Sequence, residues 1–470
     1  MTMEDWLKAR ARATPTKPAL FRAGEIYTFS YLNEEAEAWA RRLVGAGVKR
    51  GTVVGAFLDN RPEYLLLTFA LMRLGAVLLP LNIRLTEKEV SFQLEQANAS
   101  LLIKSEGTLT KLETSVSSYT LEQFTSLPTS AAAEQSVNLD DLFCLIFTSG
   151  TTGKPKAVRL SVGNFFHSAN ASAYRLGVNP KDNWLCTLPL YHVGGLSILL
   201  RSCLYGTAVT LHMGFDVEAV KGALESGQIT LVSLVPTQLY RLLETDFKPH
   251  PNLRLILLGG AAASEEVLRE GKARRLPVAT TYGLTEASSQ VATALPELAV
   301  DKPGTVGKPL LFNEVKILND EDEAVPAGTV GNLWIRGPNL MQGYLGRENV
   351  TETGWFNTGD LGHKDEDGDL FIVQRRSDLI ISGGENVYAA EVEAVLRQHV
   401  KVVEVAVLGL LDAEWGQRVA AVLVLNGASD AITIVKELEH ICLENLAPYK
   451  RPRTYRLVEA LPLTPSGKVK

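Results

Sequence analysis

Cysteine is scarce in this chain of 470 residues: there are four, Cys144, Cys186, Cys203 and Cys442, and none forms a C-x-x-C pair. That scatter argues against a disulfide framework or a cysteine-ligated metal, and it fits a reducing compartment. A basic excess is lacking too. Lys and Arg number 47 against 53 Asp and Glu, a net charge of −6, so no cationic face for nucleic acid is implied. Long apolar runs are missing. The longest charge-free stretch, NWLCTLPLYHVGGLSILL (183–200), is broken by Pro189, His192 and two glycines and reads as core rather than as a membrane span. The opening MTMEDWLKARARATP has no apolar h-region, so no secretory leader is expected and the cytoplasm is the expected location.

What is present is alternation. TVVGAFL (52–58), PEYLLLTFALMRLG (62–75) and AVLLPL (76–81) read as strand, helix and strand, a rhythm that predicts layered α/β structure with largely parallel sheets. A polar patch, 126–136, reads as a surface connection. Turn and strand signals from Gly304 to Ile372 (GTVGKPL, GTVGNLWIRGP, DEDGDLFIV) predict a β-rich subdomain. AAEVEAVLRQH and AITIVKELEHICLENL then read as helices, and VVEVAVLGL and RVAAVLVL as strands. The expected fold class is therefore α/β: a large N-terminal domain of layered α/β subdomains plus the β-rich one, residues 1–376, and a small α+β C-terminal domain, 377–470. The boundary is placed near Arg376–Ser377.

The stretch FTSGTTGKPKAV (147–158) follows the apolar run DLFCLI and is rich in hydroxyls, glycine and lysine. A loop with so many donors and so little side-chain bulk suits an anion. It is not a Walker A: Gly150 and Gly153 stand too close together, and Lys154 precedes Pro155 rather than Ser or Thr. No G-x-G-x-x-G is present either. Alone, S-G-T-T-G would be a polar turn. Its company decides otherwise. FTSGTTGKPKAV, TTYGLTE (280–286), WFNTGD (355–360), RRSDLIISGGENVY (375–388) and PSGKVK (465–470) together resemble the adenylate-forming superfamily, and they occur in its order. The resemblance implies ATP, Mg²⁺ and a carboxylic acid giving acyl-AMP and diphosphate, followed by transfer of the acyl group to a thiol such as coenzyme A.

By that resemblance Thr148, Ser149, Gly150, Thr151, Thr152, Gly153 and Lys156 would close over the β- and γ-phosphates. Glu286 would hold Mg²⁺, since a hard cation prefers carboxylate oxygen. Thr285 would donate to the α-phosphate, and the ring of Tyr282, beside Gly283, would lie against adenine. TTYGLTE also reads as a strand end followed by a helix cap. Gly260 and Ala261, in LILLGGAAAS, can bring backbone close to a flat base or simply pack a helix tightly. Asp360 would accept both ribose hydroxyls, although T-G-D is also ordinary turn chemistry. Arg375 would be a second ribose or phosphate contact. The resemblance makes Lys468 the catalytic cation that reaches the acyl carboxylate and α-phosphate. It makes Ser377, where Asp or Lys is commoner, the hinge about which the small domain swings. The swing would remove the lysine and bring Gly383 and Gly384 in to line a pantetheine tunnel. Ala157, Gln374 and Ala389 depart from the usual Gly, Asp and Pro, and none removes a charged catalytic group.

The acid pocket is expected in LPLYHVGGLSILLRSCLYG (188–206). On a helical reading Gly194, Ser197 and Arg201 share one stripe. A cation there either snorkels at a helix end or answers a second carboxylate on the substrate, because a lone buried charge is costly. His192 either lines the acid pocket as a gate or is a satisfied core histidine. This segment, LVPTQLYRLLE and the SGGENVY run most resemble the o-succinylbenzoate–CoA ligases of menaquinone biosynthesis, in which a basic residue matching Arg201 is associated with the aryl carboxylate. Ligases for fatty or other aryl acids share the catalytic residues. An amino-acid adenylation enzyme is a weaker match, because Asp216 in GFDVEAV reads more simply as a helix N-cap.

Overall fold

The computed structural model describes residues 2–110, 112, 114–130, 137–148, 155–347, 354–374, 379–412, 414–426 and 431–461. Among them a six-stranded sheet runs, from one edge, Lys156–Ser161, Leu142–Thr148, Val77–Pro80, Val53–Phe57, Leu101–Lys104 and Ser117–Thr120. Its first two strands pair antiparallel and the rest are parallel. Runs such as VVGAF and VLLP are apolar throughout because helices cover both faces of such a sheet. The helix Pro62–Leu74 is buried from Tyr64 to Leu74; proline opens it and Gly75, at φ 61°, ends it.

A nine-stranded sheet forms the second layer. Its centre is the parallel set Asn183–Cys186, Leu231–Leu234, Leu255–Leu258 and Val278–Leu284, after which Ser289–Ala294 returns antiparallel. The expected β-rich region is a four-stranded antiparallel sheet, Glu314–Leu318, Gly331–Arg336, Phe356–Lys364 and Leu370–Gln374. GTVGKPL belongs to it only in part: Thr305 bridges Phe371, and the Val306 amide donates to Leu370 O at 2.8 Å. Its second half departs: Lys308–Pro309 pairs with Ser289–Ala294 and extends the edge of the nine-stranded sheet, so the stretch links the two sheets.

The C-terminal elements fall close to where their patterns put them: Ala389–Leu396 and Ala431–Asn445 are helices, and Val402–Asp412 and Gly416–Leu425 are paired strands. Leu379–Ser382, Glu385–Tyr388 and Thr454–Leu457 complete a sheet with its own apolar cluster, which includes Val387, Leu396, Leu423 and Leu438. The expected boundary at Arg376–Ser377 lies outside the described residues. No helix among the described residues is long and apolar enough to cross a membrane.

Asp182 anchors the strand that leads into the site. Only 5% exposed, it accepts from Arg254 Nε at 2.9 Å and Nη2 at 2.7 Å, from the Asn179 amide at 2.9 Å and from Thr230 Oγ1 at 2.9 Å. Burial alone would raise its pKa, and these donors outweigh burial and hold it below the ordinary Asp value. The folded value being the lower one, the stabilisation is complete above the unfolded value and disappears as pH falls through the depressed one. Asp182→Asn should therefore lower stability by about 2 kcal/mol at pH 7 and flatten the loss of stability below about pH 4. Urea unfolding of both proteins at pH 7 and pH 3 measures it, and an unchanged acid slope would rule the assignment out.

Candidate active site

At the C-terminal ends of the strands Leu231–Leu234, Leu255–Leu258 and Val278–Leu284 lies a cavity of about 1350 Å³, its open mouth included. This is where open α/β sheets place their ligands. Its far wall comes from the helix Val193–Tyr205, from Thr358 and Asp360 of the four-stranded sheet, and from Gly384 of the C-terminal sheet.

TTYGLTE forms a tight reversal. The strand Val278–Leu284 ends in a single turn of 3₁₀ helix, Thr285–Ala287, and the chain returns along Ser289–Ala294. A Cβ on Gly283 would lie 2.0 Å from the Ser289 carbonyl oxygen, so only glycine fits there. Ser288 and Ser289 take φ of 54° and 114°, conformations that cost a non-glycine residue about 1–3 kcal/mol each. The Ser168 hydroxyl donates to Ser288 O, Ser288 Oγ donates to Asn339 O, and Asn339 Nδ2 donates to Ala287 O, all within 2.9 Å. Held this way, Thr285 and Glu286 both reach the cavity wall. Glu286 is 7% exposed, and Tyr344 donates to its Oε1 at 2.8 Å. One fixed, buried carboxylate beside room for a phosphate chain is a donor set that fits Mg²⁺, which binds through one or two carboxylates plus substrate phosphates.

Asp360 also lines the cavity, and the Tyr282 hydroxyl donates to its Oδ2 at 2.6 Å. Tyr282 itself is buried behind Asp360 and is not part of the wall; the neighbouring surface is backbone at Gly259, Gly260 and Gly283. Ala261 is half-buried and off the wall. Thr148 reaches the cavity from the end of its strand, and Lys156 Nζ stands 5.6 Å from the ring centre of Tyr344, the partner of Glu286. Ser149, Gly150, Thr151, Thr152, Gly153, Arg375, Ser377 and Lys468 lie outside the described residues.

The helix Val193–Tyr205 presents Gly194, Gly195, Ile198 and Arg201 to the cavity. Ser197 is not on this face. Its carbonyl accepts from Arg201 Nε at 3.0 Å, and its hydroxyl is buried with no hydrogen-bond partner among the described residues. Arg201 is 2% exposed, so it does not snorkel. Burial works against its charge and pulls its pKa down. Among the described residues no carboxylate pairs with it. Its hydrogen bonds go to Ser197 O, Ser172 Oγ, Gln290 Oε1 and Ser289 Oγ, and its guanidinium stacks 5.3 Å from the ring centre of Trp184.

His192 caps the same helix, and its Nε2 lies 2.9 Å from Glu385 Oε2. Glu385 is 4% exposed and comes from the C-terminal sheet. Burial would raise its pKa, but His192, Arg84 and the amide of Asn82 together hold it below the usual range. Gly383 and Gly384 precede it at φ 60° and 84°, which glycine adopts freely. Gly384 packs on Val235, and together with Leu188, Pro189 and His192 these two line both the main cavity and a second one that opens toward Arg84, Arg241 and Trp415. Glu385, Ser289 and Gln290 were not singled out from the sequence. A glutamate between two glycines and a strand was a faint signal for the first; nothing in the pattern marked the other two.

The AMP-binding enzyme family matches residues 7–345, and the AMP-binding enzyme C-terminal domain matches 391–468. A 2-succinylbenzoate–CoA ligase from Listeria monocytogenes is 41% identical over 472 residues, covering 99% of this chain and 98% of that protein. One from Bacillus licheniformis is 40% identical over 477 residues, covering 100% and 98%. Among solved structures, a double mutant of o-succinylbenzoate CoA synthetase from Bacillus subtilis, bound with the product analogue OSB-NCoA, superposes with a TM-score of 0.95 at 37% identity, covering 100% of this chain and 98% of that one. The Bacillus subtilis enzyme in complex with the acyl-adenylate intermediate OSB-AMP gives 0.79 at the same identity, covering 100% and 97%. Matched in both of its parts and along its whole length, the chain belongs to the family of AMP-binding enzymes.

Proposed function

We propose that this chain is an AMP-forming 2-succinylbenzoate–CoA ligase, converting 2-succinylbenzoate, ATP and CoA to 2-succinylbenzoyl-CoA, AMP and diphosphate on the route to menaquinone. The observation that carries the choice of acid is Arg201. It is a buried guanidinium on the cavity wall whose protein hydrogen bonds are all to neutral groups among the described residues. A fatty acid would bring only the carboxylate that reacts, whereas a dicarboxylate brings a second that suits a planar fork of donors. Relatives of the same name at about 40% identity over the full chain support the reading.

In the first half-reaction a substrate carboxylate oxygen attacks the α-phosphorus of ATP, the bond to the bridging oxygen breaks, and diphosphate leaves. Two anions must meet, so positioning and charge compensation supply most of the acceleration. We assign Asp360, with its Tyr282 partner, to the ribose hydroxyls, Thr285 to the α-phosphate, and Thr148 and Lys156, with 149–153, to the departing phosphates. Glu286 is assigned to the Mg²⁺ that accompanies ATP. Lys468 is assigned to the reacting oxygens and Arg375 to the ribose or phosphate. In the second half-reaction the CoA thiolate attacks the acyl carbonyl and AMP leaves. Gly384 stands at the cavity and Glu385 on His192, and the chain as a whole superposes on the product-analogue complex of the relative at a TM-score of 0.95 against 0.79 for its acyl-adenylate complex. We read this as the thioester-forming arrangement, and the second cavity past Gly383 and Trp415 as the CoA entry. Domains 1–376 and 377–470, a swing at Ser377 and a cytoplasmic location complete the reading.

Two measurements test it. Lys468→Ala should slow ATP–diphosphate exchange by about 100- to 1000-fold, while the thioester forms from supplied acyl-adenylate and CoA at nearly the parent rate. Equal losses in both halves would count against two separate arrangements. Arg201→Leu should lower kcat/KM for 2-succinylbenzoate by about 100-fold and leave the analogue without the ring carboxylate, 4-oxo-4-phenylbutanoate, almost unaffected. If the preference for the dicarboxylate survives, the pocket assignment is wrong.

A further inference from the structure

Among the described residues every group that holds Arg201 is neutral, and one of them could be charged at no cost in size. Gln290 is 3% exposed, lines the cavity from the strand Ser289–Ala294, and accepts from Arg201 Nη1 at 2.8 Å, the shortest of the arginine's hydrogen bonds. Its amide has one sensible orientation. Nε2 donates to Thr293 Oγ1 at 3.0 Å and approaches Thr281 Oγ1 at 3.4 Å. Thr281 Oγ1 is itself engaged with Ala292 O and Thr293 Oγ1 at 2.8 Å. The opposite orientation would point an NH₂ at a guanidinium.

We infer that Gln290 is a specificity-determining positioning residue: its amide fixes Arg201 without neutralising it, so that the missing counter-charge has to come from the second carboxylate of the acid. This rests on the proposed role of Arg201 and extends it to the residue that keeps Arg201 needy. Glutamate has the same shape with one oxygen in place of the NH₂. A carboxylate at this position would pair with Arg201 inside the protein, and a substrate carboxylate would then meet a closed ion pair and a like charge. The stack on Trp184, whose indole N–H donates to Ser233 Oγ at 3.1 Å, and the Ser172 hydroxyl hold the guanidinium from its other sides without adding charge.

The test compares the parent enzyme with Gln290→Glu and Gln290→Met, using ATP–diphosphate exchange with 2-succinylbenzoate and with 4-oxo-4-phenylbutanoate. In Gln290→Glu, KM for the dicarboxylate should rise about 100-fold, while kcat and KM for the monocarboxylate stay within about threefold. In Gln290→Met, which removes the acceptor but adds no charge, the rise should be about tenfold. A Gln290→Glu enzyme that keeps the parent's dicarboxylate preference would overturn the inference, as would equal losses in the two variants. If the glutamate variant loses activity with both acids, the methionine variant decides, and a parent-like preference there overturns the inference too. Should Arg201→Leu abolish the preference while Gln290→Glu keeps it, this inference alone fails. A parent enzyme that does not distinguish the two acids removes both.

Discussion

The reversal between Val278–Leu284 and Ser289–Ala294 joins the two ends of the site. Four residues of turn put Thr285 and Glu286 on the cavity wall, on the side proposed for the nucleotide, and the first two residues of the returning strand, Ser289 and Gln290, on Arg201. Such a turn is possible only because Gly283 lets the backbones touch and because Ser168 and Asn339 hold Ala287 and Ser288, the latter at positive φ. Strain of this kind persists where surrounding contacts over-determine it. The consequence is that Glu286, the carboxylate proposed for the metal, and Gln290, the acceptor for Arg201, share one short piece of chain. A shift at one end therefore displaces the other.

The contact between the large and small parts has a different character. Lys450 Nζ sits between Glu89 Oε1 at 2.6 Å and Glu391 Oε1 at 2.7 Å, and is 4% exposed. Burial would pull its pKa down, and the two carboxylates outweigh that and raise it. Nearby, Asn82 Nδ2 reaches both Glu385 Oε2 and Tyr449 Oη. This part of the seam is polar, and beside it Ala447 and Tyr449 pack on the apolar cluster that includes Leu79 and Leu81. The desolvation of buried ions offsets much of their attraction, so an ionic contact specifies an orientation more than it stabilises one. That suits a small domain proposed to leave and return in each catalytic cycle, since separation returns Glu89 and Lys450 to water.

Much of the fold was legible, because buried parallel strands are written as unbroken apolar runs and helices as periodic ones: VVGAF, LILL and Pro62–Leu74 announce themselves. Asp216 is the helix N-cap it was read to be, its Oδ1 accepting from the Ala219 amide at 2.9 Å. Lys308–Pro309 was misassigned, since a two-residue strand has too little pattern to say which sheet edge it joins. Ser197 was misplaced because i, i+3 and i+7 define a stripe but not its centre; Gly195 and Ile198 share the wall with Gly194 and Arg201.

Residue types and their order were enough to point to the chemistry: a loop rich in hydroxyls and glycine, a Thr-Glu pair, an aspartate in T-G-D and the lysine of PSGKVK are local strings, and local strings survive being read in one dimension. The environment of Arg201 was not of that kind. That it is buried, stacked on Trp184, and held by Ser172 and Gln290 from two other elements depends on residues 17 to 89 positions away in the chain. Whether a charge is neutralised is a property of what surrounds it in space, and only the packing of the sheet against two helices decided it.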